Sequence, residues 1–245
     1  MSAGRPLPRR TCAAGLAALV AGNCLDSRAY ADDAEGLEAT LAAAGWQVLR
    51  VGGKPPTRFR REPSGAIAVA ADGGAAFLYR ALAQSEAGPY LTWRWRVATA
   101  PPPSDPGRAG RDDRPLAVHV LFASDPSAGF FGGIRRALRR QLLGAPFAGR
   151  LTTYMWGGTA RAGTRLANPY LTSDGAIVVL RDAQAPLGPW LSEAADLFAD
   201  YAAAFGTPPP VPTHIAISAD ADDLGGRSLG WVADLAFAAA LPPRR

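Results

Sequence analysis

Residues 91–97 read LTWRWRV, and apolar and polar side chains alternate along the whole stretch. Successive side chains of a β-strand point to opposite faces of a sheet, so this alternation predicts a strand with one buried face. Shorter apolar runs on both sides, separated by turn signals such as Pro63-Ser64-Gly65, predict further strands. These predicted strands cover residues 46–51, 58–62, 66–71, 116–122, 151–156, 176–180, 215–218 and 231–237. The pattern indicates a mostly β domain.

Two segments with helical spacing interrupt the predicted strands. Residues 188–205 place an apolar stripe along one side and end at Gly206, which three prolines follow. Residues 131–143 place Ile134, Leu138 and Leu142 on one face of a second helix. Residues 33–44 also have helical character. We therefore expect a β-sandwich with two peripheral helices.

The N-terminus has the order of a secretory signal peptide. Arg5, Arg9 and Arg10 precede an apolar run over residues 11–22, and Ala29-Tyr30-Ala31 offers small residues for cleavage. Residues 1–31 are therefore predicted to be a signal peptide, cleaved near Ala31. The remaining residues 32–245 form one domain in the periplasm or outside the cell. Sec and twin-arginine export both stay open.

Removal of residues 1–31 changes the chemistry open to the domain. Both cysteines, Cys12 and Cys24, lie in the leader, so the domain has no thiol nucleophile and no thiolate for a metal. The leader also takes four basic residues and one acid, which leaves 22 basic and 20 acidic residues and a net charge of +2. This near balance argues against a nucleic-acid-binding protein.

An aspartate-rich turn near the C-terminus is a candidate cation site. Asp220, Asp222 and Asp223 precede two glycines, and carboxylates are the ligands that calcium prefers. A structural calcium ion is the one cofactor that the sequence suggests, and an ordinary polar turn is the alternative. The G-x-S-x-G sequence of residues 226–230 precedes a strand rather than a helix, which favours a hairpin turn over a hydrolase nucleophile.

Charged and aromatic side chains near the quoted strand are candidate ligand-binding residues. Arg94 and Arg96 share one strand face and could bind an anionic or sugar ligand, or form a charged cluster with Asp112, Asp113 or Asp222. The full candidate set is Arg94, Arg96, Asp112, Asp113, Tyr154, Trp156 and Glu193. In this set Tyr154 and Trp156 would supply a stacking platform, and Glu193 would lie on the polar face of the helix predicted at residues 188–205. Ordinary ion pairs and core aromatics are the alternative.

The helix predicted at residues 131–143 is strongly basic. Its four arginines are Arg135, Arg136, Arg139 and Arg140. Such a helix could lie on an anionic membrane surface. It could equally pack as a lid, with its apolar face against the sandwich.

Several motifs occur in the order found in a known family. They are residues 91–97, 111–113 (RDD), 118–122 (VHVLF), 154–156 (YMW), 168–170 (NPY), 177–181 (IVVLR), 200–206 and 220–223, with Trp190, Glu193 and Asp234. In this order the chain resembles the bacterial domain-of-unknown-function family 3047 over most of residues 45–238. Residues 130–150 look like an insertion. The resemblance implies export and a β-sandwich similar to galactose-binding and other carbohydrate-binding jelly rolls, with no established catalytic residues.

These observations favour a non-catalytic, extracytoplasmic binding module for carbohydrate or cell-envelope glycan. One alternative is an envelope hydrolase that uses acids such as Glu193 or Asp222, for which no catalytic set can be assigned from the sequence. Another is a membrane-surface accessory protein that uses the basic helix. A concave sheet face with exposed aromatic rings favours the binding module, and two carboxylates that converge in a pocket favour the hydrolase.

Overall fold

The computed structural model describes residues 39–51, 53–123 and 149–240. Within these ranges two β-sheets pack face to face, so the predicted β-sandwich is confirmed. The larger sheet has the order β1 (Gln47–Arg50), β4 (Ala75–Ala81), β11 (Pro212–Asp220), β6 (Arg114–Phe122), β7 (Leu151–Trp156), β9 (Thr172–Arg181), β8 (Arg165–Asn168). The smaller has the order β10 (Leu191–Asp196), β5 (Tyr90–Thr99), β12 (Arg227–Ala238), β3 (Ile67–Asp72), β2 (Arg58–Arg61). Neighbouring strands are antiparallel except β7 and β9.

The alternating stretch of residues 91–97 lies in β5, and its apolar side chains are all buried. They face the larger sheet across an aromatic layer. The ring centroids of Trp93 and Tyr154 are 5.6 Å apart, and those of Trp95 and Trp156 are 5.4 Å apart. Aromatic side chains bury large apolar areas. This layer therefore fixes which face of β5 and β7 points inward.

A buried carboxylate joins the two sheets at one edge of the sandwich. Glu193 on β10 accepts a hydrogen bond from the indole Nε1 of Trp95 at 2.8 Å. The same oxygen accepts one from the Nε of Arg181, at the end of β9 in the other sheet, at 2.7 Å. The Glu193 side chain is only 10% exposed. Glu193 therefore has a structural role, although it was predicted to lie on a polar helix face.

The helix predicted at residues 188–205 is partly wrong. Leu191–Asp196 forms β10, which pairs with β5, and only Leu197–Phe205 forms a helix, α2. The carboxylate of Asp196 accepts the backbone N–H of Ala199 at 2.9 Å and so caps the helix N-terminus. A second helix, α1, covers Ala39–Ala43. Neither helix, nor any other in the described ranges, is long and apolar enough to span a membrane.

Some predictions fall on residues outside the described ranges. These are the signal peptide of residues 1–31 and the basic helix of residues 131–143 with Arg135, Arg136, Arg139 and Arg140. Both remain predictions. Strands β4, β8 and β10 were not predicted. The other strands lie where the apolar runs predict them.

We expect Glu193→Gln to lower the free energy of unfolding by about 1–3 kcal/mol, because it removes the charge from two partly buried hydrogen bonds. Chemical denaturation would measure the change. Asp72→Asn is the matched control, since Asp72 pairs with Arg227 at the surface with both side chains about two-thirds exposed. We expect a change of at most about 0.5 kcal/mol there. Equal losses in both variants would contradict a structural role for the buried pair.

Candidate ligand-binding cleft

A cleft of about 340 Å³ lies on the outer face of the larger sheet, opposite the aromatic layer. Its floor follows from strand alternation. Because Val118 and Tyr154 point into the core, the neighbouring His119, Thr153 and Met155 must point the other way. The other apolar residues that line the cleft are Leu49, Val51, Ala75, Phe77, Pro106, Leu151, Leu171 and Ile177.

A buried histidine forms the polar part of this floor. The Nδ1 of His119 is 2.9 Å from the hydroxyl of Thr153, and its Nε2 is 2.8 Å from the hydroxyl of Ser218. Burial, together with the positive charge of Arg114, lowers the pKa of His119 well below its usual value. The ring is therefore neutral at neutral pH. Both ring nitrogens have hydroxyl partners, which hold the His119 ring in place in the floor of the cleft.

One end of the cleft is lined by charged side chains from two neighbouring strands. Since β6 and β11 pair antiparallel, Asp220 at the end of β11 lies opposite Arg114 at the start of β6. The Nη1 of Arg114 is 2.9 Å from Asp112 and 3.5 Å from Asp220. The hydroxyl of Tyr170 donates to the other oxygen of Asp112 at 2.8 Å. Sheet pairing thus brings together groups about a hundred residues apart in sequence.

Asp113 and Asp222 are engaged in holding the loops at this end. The carboxylate of Asp113 accepts the backbone N–H groups of Asp223 and Leu224 at 2.9 and 2.8 Å. Lys54 lies 2.6 Å from the carboxylate of Asp222. These contacts tie the loop before β6 and the segment around Lys54 to the turn between β11 and β12.

Asp220 carries an unpaired oxygen in the cleft. Its Oδ1 is buried and has no hydrogen-bond partner among the described residues. Burial raises the pKa of Asp220 to about 8 against the opposing positive charge of Arg114, and the negative charges of Asp222 and Asp112 act in the same direction as burial. Burial opposes ionisation of Asp222 as well, but hydrogen bonds with Asp220 and Lys54 lower its pKa. Asp220 is therefore protonated at neutral pH, beside an ionised neighbour.

The aspartate turn makes a poor calcium site in this arrangement. Oxygens of Asp113, Asp222 and Asp223 lie within 4.8 Å of one another. However, Asp113 already accepts two backbone N–H groups, and the Lys54 ammonium supplies positive charge to Asp222. Asp220, the third predicted ligand, is not part of this group of three. The calcium ion at Asp220, Asp222 and Asp223 stays a prediction.

The other predicted binding residues lie elsewhere. Tyr154 and Trp156 are at most 1% exposed and belong to the aromatic layer, so they cannot form a stacking platform. Arg94 and Arg96 lie on the outer face of the smaller sheet. Arg94 pairs with Asp234, at 2.6 Å, instead of with Asp112 or Asp113. The predicted arginines and aspartates therefore occupy opposite sides of the sandwich.

Several residues of the cleft were missed by sequence reasoning. Lys54, Arg114 and Tyr170 are at its charged end, and Phe77 and Thr153 are on its floor. Phe77 lies on β4, which was not predicted as a strand. Arg114 directly follows the predicted Asp112 and Asp113, and Tyr170 is the last residue of the NPY motif. Both residues could therefore have been predicted as site residues from their neighbours in the sequence. Nothing local in the sequence marks Lys54.

A family model described as a protein of unknown function, DUF3047, matches residues 44–236. The matched span contains every residue that lines the cleft. No curated protein matches the chain.

We expect Asp220→Asn to change how stability depends on pH. Because the pKa of Asp220 is raised in the folded state, wild-type stability falls as pH rises from about 4 to 8, where only the unfolded state has lost the proton. Asparagine resembles the protonated acid and removes this effect. The free energy of unfolding of the variant should therefore rise relative to that of the wild type as pH rises, by up to about 1.4 kcal/mol per pH unit.

Denaturation of both proteins between pH 5 and 9 would measure this difference. Asp72→Asn, at an exposed position, serves as the control and should show no such trend. A difference between Asp220→Asn and wild type that stays constant with pH would show that Asp220 is ionised throughout.

Proposed function

The chain belongs to the DUF3047 family, whose function is unknown, and we propose that it is a non-catalytic binding module with its ligand in the cleft of the larger sheet. In this proposal residues 1–31 direct export, and the module works outside the cytoplasm. One observation carries the proposal: a single cavity combines an apolar floor with a charged end. Cavities with mostly apolar linings and a few convergent polar groups are typical ligand sites.

The lining indicates the chemistry of the ligand. The floor accepts an apolar body, because it is made of residues such as Phe77, Leu151 and Ile177. At the charged end the carboxyl groups of Asp112, Asp222 and Asp223 face two cationic groups, those of Lys54 and Arg114, while Asp220 is protonated and adds no charge. This excess of acids favours hydroxyl or ammonium donors and disfavours an anionic head. A sugar that carries an apolar substituent satisfies both requirements.

The hydrolase alternative retains one supporting observation. Asp220 and Asp222 have pKa values shifted in opposite directions, which is how an acid and a base are set apart in many active sites. Glu193 does not contribute, since Trp95 and Arg181 hold it in the sandwich. Release of glucose from hexyl glucoside by the wild type, abolished in Asp222→Asn, would favour the hydrolase over the binding module.

Three probes with the same six-carbon tail test the proposal: hexylammonium, hexyl glucoside and hexanoate. We expect calorimetry to show that the first two bind at least tenfold more tightly than hexanoate, because their heads donate hydrogen bonds to carboxyl groups. Leu171→Ala should weaken binding of hexylammonium and hexyl glucoside by about fivefold, because it removes about 1 kcal/mol of apolar contact with the tail.

Leu187→Ala is the matched control, since Leu187 is an exposed leucine that does not line the cleft. It should leave all three affinities unchanged. Tightest binding by hexanoate would contradict the assigned head chemistry. Equal effects of Leu171→Ala and Leu187→Ala, or no binding of any probe, would contradict the cleft as the site.

A further inference from the structure

The outer face of the smaller sheet carries a row of alternating arginine and tryptophan side chains. The register places Arg60 on β2 opposite Ala68 on β3, Ala68 opposite Trp231 on β12, and Trp231 opposite Arg96 on β5. Trp190, one residue before β10, continues the row beside Arg96, because Leu191 pairs with Trp95. The small Ala68 leaves room for the larger side chains to lie flat against the sheet.

Arg96 is held between two aromatic rings. Its guanidinium carbon is 4.0 Å from the centroid of the Trp231 ring and 5.4 Å from that of Trp190. Its Nε is buried without a hydrogen-bond partner, and no carboxylate among the described residues pairs with it. Stacking on tryptophan stabilises the cation but leaves the hydrogen-bonding fork at the guanidinium edge unused. An external acceptor is what this group lacks.

The charges around Arg96 are unequal. Five arginines, Arg58, Arg60, Arg94, Arg96 and Arg227, lie on this face of the sheet. Three of them pair with acids: Arg94 with Asp234 at 2.6 Å, Arg60 with Glu62 at 2.9 Å, and Arg227 with Asp72 at 3.1 Å. Among the described residues no carboxylate pairs with Arg58 or Arg96, whereas the cleft on the other side of the sandwich has an excess of acids.

We propose that this face binds an acidic glycan, with a sugar carboxylate held by Arg96 and Arg94 and a sugar ring against Trp190. The arginine fork matches a carboxylate in two parallel hydrogen bonds. Arg94 also lies over the Trp190 ring, at 5.3 Å, so both arginines are oriented by the same aromatic side chain. This site is separate from the cleft and does not depend on the function proposed for it.

A recessed aromatic row fits a glycan better than a bilayer. Trp231 is 4% exposed and lies down against the sheet, and Arg96 covers it. Proteins that lie on membranes insert protruding apolar side chains between the lipid headgroups. Trp231 does not protrude, and the positive charge on this face is concentrated at a few arginine forks.

The test compares trigalacturonate with its fully methyl-esterified form, which has the same rings without charge. Calorimetry and tryptophan fluorescence of the purified protein would report binding. We expect the acid to bind at least tenfold more tightly than the ester. Arg96→Gln should weaken binding of the acid at least tenfold, and Arg96→Lys should fall between, since lysine keeps the charge but loses the fork.

Arg161→Gln is the matched control, because Arg161 is an exposed arginine of the loop between β7 and β8. It should change affinity by less than twofold. The near-ultraviolet circular dichroism of each variant would check folding, and if Arg96→Gln misfolds, Arg96→Lys decides the outcome. Three results would each overturn the proposal. The first is equal affinity for the acid and the ester, and the second is an equal loss of affinity in Arg161→Gln and Arg96→Gln. The third is binding to phosphatidylglycerol vesicles without binding to trigalacturonate.

Discussion

The contact between two aromatic pairs in the middle of the sandwich determines which side chains of β5 and β7 point outward. Trp93 and Trp95 meet Tyr154 and Trp156 across the sheets, which leaves their chain neighbours to face outward. Arg94 and Arg96 are thereby presented on one side, and Thr153 and Met155 on the other. Both candidate sites are consequences of this apolar layer, because a one-residue shift of either strand would send the polar groups into the core.

Local pattern was enough to predict the sandwich but not the sites on it. β5 was predictable because one of its faces is buried and the other is not, so its alternation shows in the sequence. All six residues of β7 are buried, so its sequence does not show whether Tyr154 and Trp156 face the core or a ligand. The stretch before α2 has apolar spacing that fits a helix as well as a strand, and only pairing with the distant β5 makes it a strand. The charged end of the cleft likewise depends on β6 meeting β11.

Charges of opposite sign gather on the two outer faces of the sandwich. The acids gather at the end of the cleft around Asp220, and unmatched arginines gather on the far sheet around Arg96. The aromatic layer lies between these two regions and keeps them apart. Surfaces of opposite sign on opposite faces allow one small domain to contact two chemically different partners at the same time.

The strand order also has a consequence for the order of events during synthesis. β12, near the C-terminus, is the middle strand of the smaller sheet, and β11 separates β4 from β6 in the larger one. Neither sheet can close until β11 and β12 have left the ribosome. Contacts between residues so far apart in sequence slow folding, because long loops must close first. Strands such as β4 and β5 are therefore synthesised well before the neighbours that cover their edges.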